Sequence, residues 1–318
     1  MPDVLAITGP VFLLIGLGFA AVRLQWFTAA ALPALGGFVL RFALPAMLFK
    51  AMVSRPFAEL MNLRFLTAYA AGSLAVLAAG LAWARWARGQ RIDAAAITAM
   101  GMSCANSALI GFPIVMQVVG PDSTAALAMA LLVENILLLP LCLALADSVS
   151  LRHEPFWKAM AGSLAGLRRN PLMMTIAAGL LFALAGWSLP ATVARAVDML
   201  AGAVLASALF YIGGALVGLK VGALASQVAA VTLGKLVLHP LAVFAAVLAL
   251  GPMDPSLQIA AVLIACAPMQ GIYPILGHKY GQQGVAAASL LVGTTASFFT
   301  LALAIWGLQA SSVFGPLR

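Results

Sequence analysis

Apolar residues run through this chain in long stretches, each closed by a short interval containing polar, basic or turn-forming residues. With about 20 apolar residues needed to cross a bilayer, the pattern predicts ten membrane spans. They cover roughly 4–22, 31–53, 65–87, 94–118, 122–147, 171–188, 194–218, 225–249, 256–279 and 284–308. These runs take up most of the chain, so no soluble catalytic domain fits between them. The longest polar interval, about 148–170, reads as a loop. The first run follows Met1-Pro2-Asp3 without the basic leader or small-residue cleavage site of a signal peptide, and it reads as a retained helix.

The two halves of the pattern repeat. Sliding the chain on itself by 161 positions pairs Pro10 with Pro171, Gly18 with Gly179, Phe49 with Phe210, Pro113 with Pro274, Ile114 with Ile275 and Gly120 with Gly281. Proline and glycine carry backbone meaning, so coincidence of these residues counts for more than matched Ala or Leu. The offset maps spans one to five onto six to ten. Five is odd, so the second half crosses the membrane in the opposite sense. The expected fold is therefore all-α, ten transmembrane helices in two inverted five-helix repeats, 1–148 and 171–318, joined by a loop at 149–170. Transporters built this way hold substrate near the midplane, between helices interrupted by Gly or Pro.

Spans four and nine carry matched interruptions, Asn106-Ser107-Ala108-Leu109-Ile110-Gly111-Phe112-Pro113 and Pro268-Met269-Gln270-Gly271-Ile272-Tyr273-Pro274. Pro113 cannot donate to the Leu109 carbonyl, nor Pro274 to that of Gln270, and Gly111 and Gly271 permit unusual backbone angles. Both helices are expected to unwind and cross there, since non-helical backbone at membrane depth survives only against protein or a wet cavity. Half-helices starting at Pro113 and Pro274 would aim N-termini, each worth about half a positive charge, at one point. The expected binding residues are Asn106, Gly111, Pro113, Gln270, Gly271 and Pro274. The facing half-helix C-termini offer carbonyls that suit cations, so dipoles alone do not fix the sign of the ligand.

Composition agrees with the pattern: of 318 residues, 64% are hydrophobic and 8% charged, against roughly 45–50% and about 25% in soluble chains. The net charge of +8 matters through its distribution rather than as a signal for nucleic acid. Ten basic residues fall on one side: Arg23, Arg85, Arg88, Arg91, Arg152, Lys158, Arg168, Arg169, Lys220 and Lys279. Four, Arg55, Arg64, Arg195 and Arg318, fall on the other. By the positive-inside rule the 149–170 loop is cytoplasmic and both termini are extracytoplasmic. Cys104, Cys142 and Cys266 lack ligand spacing and read as packing residues. No metal site or cofactor is expected.

Ionisable residues inside spans cost about 2.5–3.5 kcal/mol on insertion scales and generally serve a cavity or partner. Arg41, central in span two, is expected either to pair with a substrate carboxylate or to hold backbone carbonyls. Lys50 lies near the end of that span, on a different face, and reads as a snorkelling side chain. Glu134 is mid-span in helix five, a candidate proton carrier or half of a structural ion pair. Lys235 and His239, at i and i+4 on helix eight, are its expected partners.

These residues resemble a known family. Asn106…Gly111-Phe112-Pro113 is similar to the N-x-x-x-x-G-x-P signature of the auxin efflux carrier family, and Ala43-Leu44-Pro45-Ala46-Met47-Leu48-Phe49 to its L-P-A-L-L-F stretch. That family includes plant PIN carriers and bacterial malonate-type transporters. The resemblance implies a scaffold of spans one, two, six and seven and a moving core of the others, with elevator-like exchange and often a homodimer. It also implies that Asn106 meets a substrate carboxylate beside Pro113 and Pro274, and that Arg41 faces the site from the scaffold. The chain lacks the long hydrophilic loop of the plant members, so a small carboxylate such as malonate is expected rather than auxin, with H+ as the coupling ion. The alternatives are a sodium-coupled organic-anion symporter of the bile-acid type, a channel, and an intramembrane enzyme. The last has no support from HExxH, GxSxG or paired mid-membrane aspartates. A multi-pass protein of the cell inner membrane follows, with lipid and an organic anion as partners and no nucleic acid.

Overall fold

The computed structural model describes residues 2–53, 61–149, 155–215, 217, 225–311 and 313–314. Arg55, Arg152, Lys220 and Arg318, four of the loop charges counted above, lie outside the described residues. Thirteen helical segments are used below: α1 (Pro2–Arg23), α2 (Ala29–Val53), α3 (Leu63–Ala87), α4 (Ile92–Ser103), α5 (107–119), α6 (123–149), α7 (Phe156–Gly166), α8 (Pro171–Ala185), α9 (Ala191–Ala215), α10 (225–249), α11 (Pro255–Cys266), α12 (Tyr273–Lys279) and α13 (Gln283–Ser311). There are no strands among the described residues. An isolated antiparallel bridge joins Ala105 to Met269.

Among the described residues six helices are long and apolar enough to cross a membrane, including α2, α3, α9 and α13, and four shorter apolar helices accompany them. Polar side chains start several of them. Asn62, Asn170 and Asp254 accept backbone N–H groups at the beginnings of α3, α8 and α11, each worth about 1 kcal/mol. The Arg64 guanidinium donates to the Pro252 carbonyl and ties the start of α3 to the turn before α11. The interval read from sequence as a loop differs: Pro155 fixes the entry to α7, an eleven-residue helix that packs on α6.

The helices sort by burial and contact into two groups. In one, α1 packs along α9 and α8 along α2, and Leu13, Leu17, Phe42, Leu181, Leu184 and Met199 turn outward, exposed. In the other, α3 lies against α4 and α10, α4 against α6, and α11 against α5, α6, α10 and α13. The whole of 95–103, 123–131 and 259–266 is buried there. Between apolar helices in lipid, association depends on close packing rather than on escape from water, and small residues permit it. Gly18 lets α1 touch the α9 backbone, where an added Cβ would overlap the Phe210 carbonyl, and Gly213 does the same against the Ile15 carbonyl. Gly179 on α8 approaches α2, where a Cβ would lie 2.5 Å from Met52 Cβ and 3.7 Å from Phe49 Cα.

Candidate functional site

Two helical paths are broken at the centre of the second group. The chain leaves helical geometry at Cys104–Asn106, between α4 and α5, and at Ala267–Ile272, between α11 and α12. Each break satisfies the other. The Asn106 N–H donates to the Pro268 carbonyl at 2.7 Å, and Ala105 pairs with Met269. This exchange answers the requirement that buried backbone groups find partners.

The first break does not sit where proline chemistry alone predicts. Pro113 is the second residue of a regular stretch that continues a π turn over Ser107–Gly111, with Phe112 N bonded to Ser107 O. The Asn106 carbonyl accepts both Ile110 N and Gly111 N. This widened turn absorbs the proline, so α5 starts at Ser107 rather than Pro113, with Asn106 as its cap and Leu109 N donating to the Asn106 side chain at 3.4 Å. Gly111 has ordinary helical angles, φ −61 and ψ −54, and neither it nor Gly271 has positive φ. The role of Gly111 is proximity: a Cβ there would rest 3.4 Å from Ala267 Cβ in the other break. α12 begins at Tyr273, and Pro274 occupies its second position.

Asn106, Gly271 and Pro274 line one cavity of about 330 Å³, with Leu109, Tyr211 and Thr294 among its walls. Gln270 stands behind them and donates its amide to Glu134 Oε2 at 3.4 Å. Arg41 is exposed on α2 and lines neither this cavity nor the second one at α2 and α9. Gly111 and Pro113 are buried within α5 and also stand outside the cavity wall.

Glu134 is fully buried, and its carboxylate joins the two breaks. Oε1 accepts from Ser107 Oγ at 2.5 Å and from Tyr69 OH at 2.8 Å, while Oε2 accepts from Gln270. The partners expected from sequence, Lys235 and His239, bond instead to each other. Lys235 Nζ lies 2.8 Å from His239 Nδ1 and 2.8 Å from the Ala265 carbonyl, while His239 Nε2 lies 2.8 Å from Ser73 Oγ. The ammonium can only donate, so Nδ1 accepts and the ring proton resides on Nε2, facing Ser73. The physical reason for the Lys235 position is the break itself: α11 ends at Cys266, its last carbonyls lose their helical partners, and a cation at a helix C-terminus satisfies one.

Three of the π turns hold the mid-span ionisable residues: Arg41 in Val39–Ala43, Glu134 in Val133–Leu138 and Lys235 in Gly234–Leu238. Such turns recur at functional sites. Sequence reasoning missed Tyr69 and Ser73. Their i, i+4 spacing on α3, which puts both hydroxyls on one face, was the available signal.

Between residues 7 and 306 the chain matches the family described as membrane transport protein. A protein of Rhizobium meliloti (strain 1021) named "Putative malonate transporter" is 26% identical over 305 residues, 95% of this chain and 94% of that one. The match over residues 7–306, in a chain with apolar helices of membrane-crossing length and two helix breaks bonded to each other, means that the chain belongs to the membrane transport protein family.

Proposed function

We propose that this protein is a secondary transporter for a small organic anion, a carboxylate such as malonate, working by elevator-like alternating access and linked to protons. The observation that carries the reading is the pair of crossed breaks with Asn106 at a cavity and a buried carboxylate, Glu134, bonded to both breaks. The Asn106 amide can donate to a substrate carboxylate, and the break around Gly271 and Pro274 completes the pocket. Glu134 takes up and releases the coupled proton, with the Lys235 ammonium, bonded to the neutral His239 ring, as its neighbouring charge. The name of the Rhizobium meliloti relative favours malonate.

The architecture proposed is ten spans in two inverted repeats, 1–148 and 171–318. Its support is that Gly18 meets Phe210 while Gly179 approaches Phe49, because both members of each contact are related by the 161-residue offset. The scaffold is α1, α2, α8 and α9, and the remainder moves. The basic loops set the orientation in the cell inner membrane with both termini extracytoplasmic, and the protein forms a homodimer.

Counterflow tests this reading. In proteoliposomes preloaded with unlabelled malonate, labelled malonate influx is accelerated if the protein is a carrier. A rate indifferent to internal malonate would leave a channel, and no malonate flux in either arrangement would remove malonate as substrate.

A further inference from the structure

A second cavity, of about 440 Å³, opens between the two helix groups at Lys50 and Asp198, with Met47, Phe112, Met116 and Thr124 on its walls. Its residues precede those of the Asn106 cavity on α9, 198–205 against 211–215, and follow them on α5, 112–116 against 109–110. At 1.5 Å per helical residue the centres of the two α9 stretches are about 17 Å apart. The cavities therefore approach the crossing from opposite ends.

Lys50 is not a side chain merely reaching for water. Its Nζ lies 2.7 Å from Asp198 Oδ1 across the α2–α9 contact, with the two side chains 52% and 53% exposed. An ion pair this open adds little to stability, because solvent screens it and two flexible side chains must be ordered. It is correspondingly easy to exchange, and the arriving partner that exchanges it is a second carboxylate. The residue related to Lys50 by the 161-residue offset is Tyr211, which lines the Asn106 cavity. The two ends of the path thus differ at equivalent positions: a cation at one, a neutral phenol at the other.

We propose that Lys50 captures substrate carboxylate at the entry cavity and that Asp198 is a resident competitor, occupying the ammonium until substrate displaces it. The proposal rests on the organic-anion reading above and deepens it. It assigns collection of the anion to the Lys50 end, which the loop charges orient to the extracytoplasmic face.

The test is initial-rate malonate uptake in right-side-out and inverted vesicles carrying wild type, Lys50→Gln, Lys50→Arg or Asp198→Asn, with melting temperatures recorded for each. Loss of one charge-assisted contact raises KM about tenfold for Lys50→Gln. Lys50→Arg restores most of it. Removing the competing carboxylate in Asp198→Asn lowers KM about threefold, and all these shifts occur only from the Lys50 side. A purely structural pair instead moves both neutral variants in the same direction, which overturns the proposal, as do unchanged KM values in folded variants. If wild type moves no carboxylate, the proposed function falls and takes this inference with it. Carboxylate transport with KM unaltered in both variants removes this inference alone.

Discussion

Replacing Glu134 by glutamine separates proton coupling from substrate movement, because the amide keeps the shape of the carboxylate and cannot take up or release a proton. Three hydrogen bonds end on this side chain, from Ser107, Tyr69 and Gln270. Bonds to an ionised acceptor contribute roughly 1.5–3 kcal/mol each against about 0.5–1.5 for neutral pairs, so the exchange forfeits about 3 kcal/mol of hydrogen bonding. Removal of a buried charge recovers a desolvation penalty of several kcal/mol, leaving net stability within about 2 kcal/mol of wild type. The glutamine oxygen accepts from both hydroxyls, and Gln270 turns its own oxygen toward the new amide. Glu134→Ala is different: it strands the hydroxyls of Ser107 and Tyr69 in a buried site at about 1–3 kcal/mol each. The assay compares malonate accumulation driven by an imposed pH gradient with counterflow at equal pH on both sides. Glu134→Gln is expected to lose the first and keep the second, with a melting temperature near wild type. Wild-type accumulation under the pH gradient by folded Glu134→Gln protein would refute the proton-carrier role.

Other substitutions and conditions probe separate parts of the structure. Gly18→Ala forces α1 and α9 apart, since the new methyl overlaps the Phe210 carbonyl, and overpacking of this kind costs about 1–3 kcal/mol. Thermal unfolding in detergent should show a clear fall, and an unchanged midpoint would mean that the α1–α9 contact is looser than described. Lys235→Met leaves the Ala265 carbonyl and His239 Nδ1 without their shared donor, at about 1–3 kcal/mol per stranded group. It should destabilise more than Lys279→Met, whose partially exposed pair with Asp147 is worth about 0–1 kcal/mol, and equal melting temperatures would contradict this ranking. Replacing sodium by choline at fixed pH should leave malonate uptake unaltered, whereas loss of uptake would favour the sodium-coupled reading.

The positions of the helices were legible because uninterrupted apolar length is itself the signal, and helical segments overlie all ten runs. The matched breaks were legible as to which runs contain them, since proline and glycine recur at one offset. Their register was not. Pro113 marks a break only if the helix around it is regular, and a π turn at Ser107–Gly111 moves the interruption back to Cys104–Asn106. Facing was also hidden. A helix apolar on all sides has no periodicity to tell lipid from protein, so the depth of Arg41 could be read but not its outward direction. Long-range pairing was likewise invisible: Lys50 meets Asp198 from a different run, and Glu134 finds Tyr69, Ser107 and Gln270 rather than the charges that looked complementary. The short helix α7 went unread because eleven residues in a polar interval fall below the length that marks a span.

The central claim is that the Asn106 cavity between the crossed breaks is where the organic anion binds. Titration of purified wild-type and Asn106→Ala protein with malonate, followed by thermal shift and calorimetry, tests it most directly, since a ligand that binds only the native state raises its stability by mass action. Wild type should be stabilised in proportion to malonate concentration, and Asn106→Ala, with a similar melting temperature in the absence of ligand, should bind about tenfold or more weakly, about 1.4 kcal/mol. Equal malonate affinity in the two proteins would contradict the account.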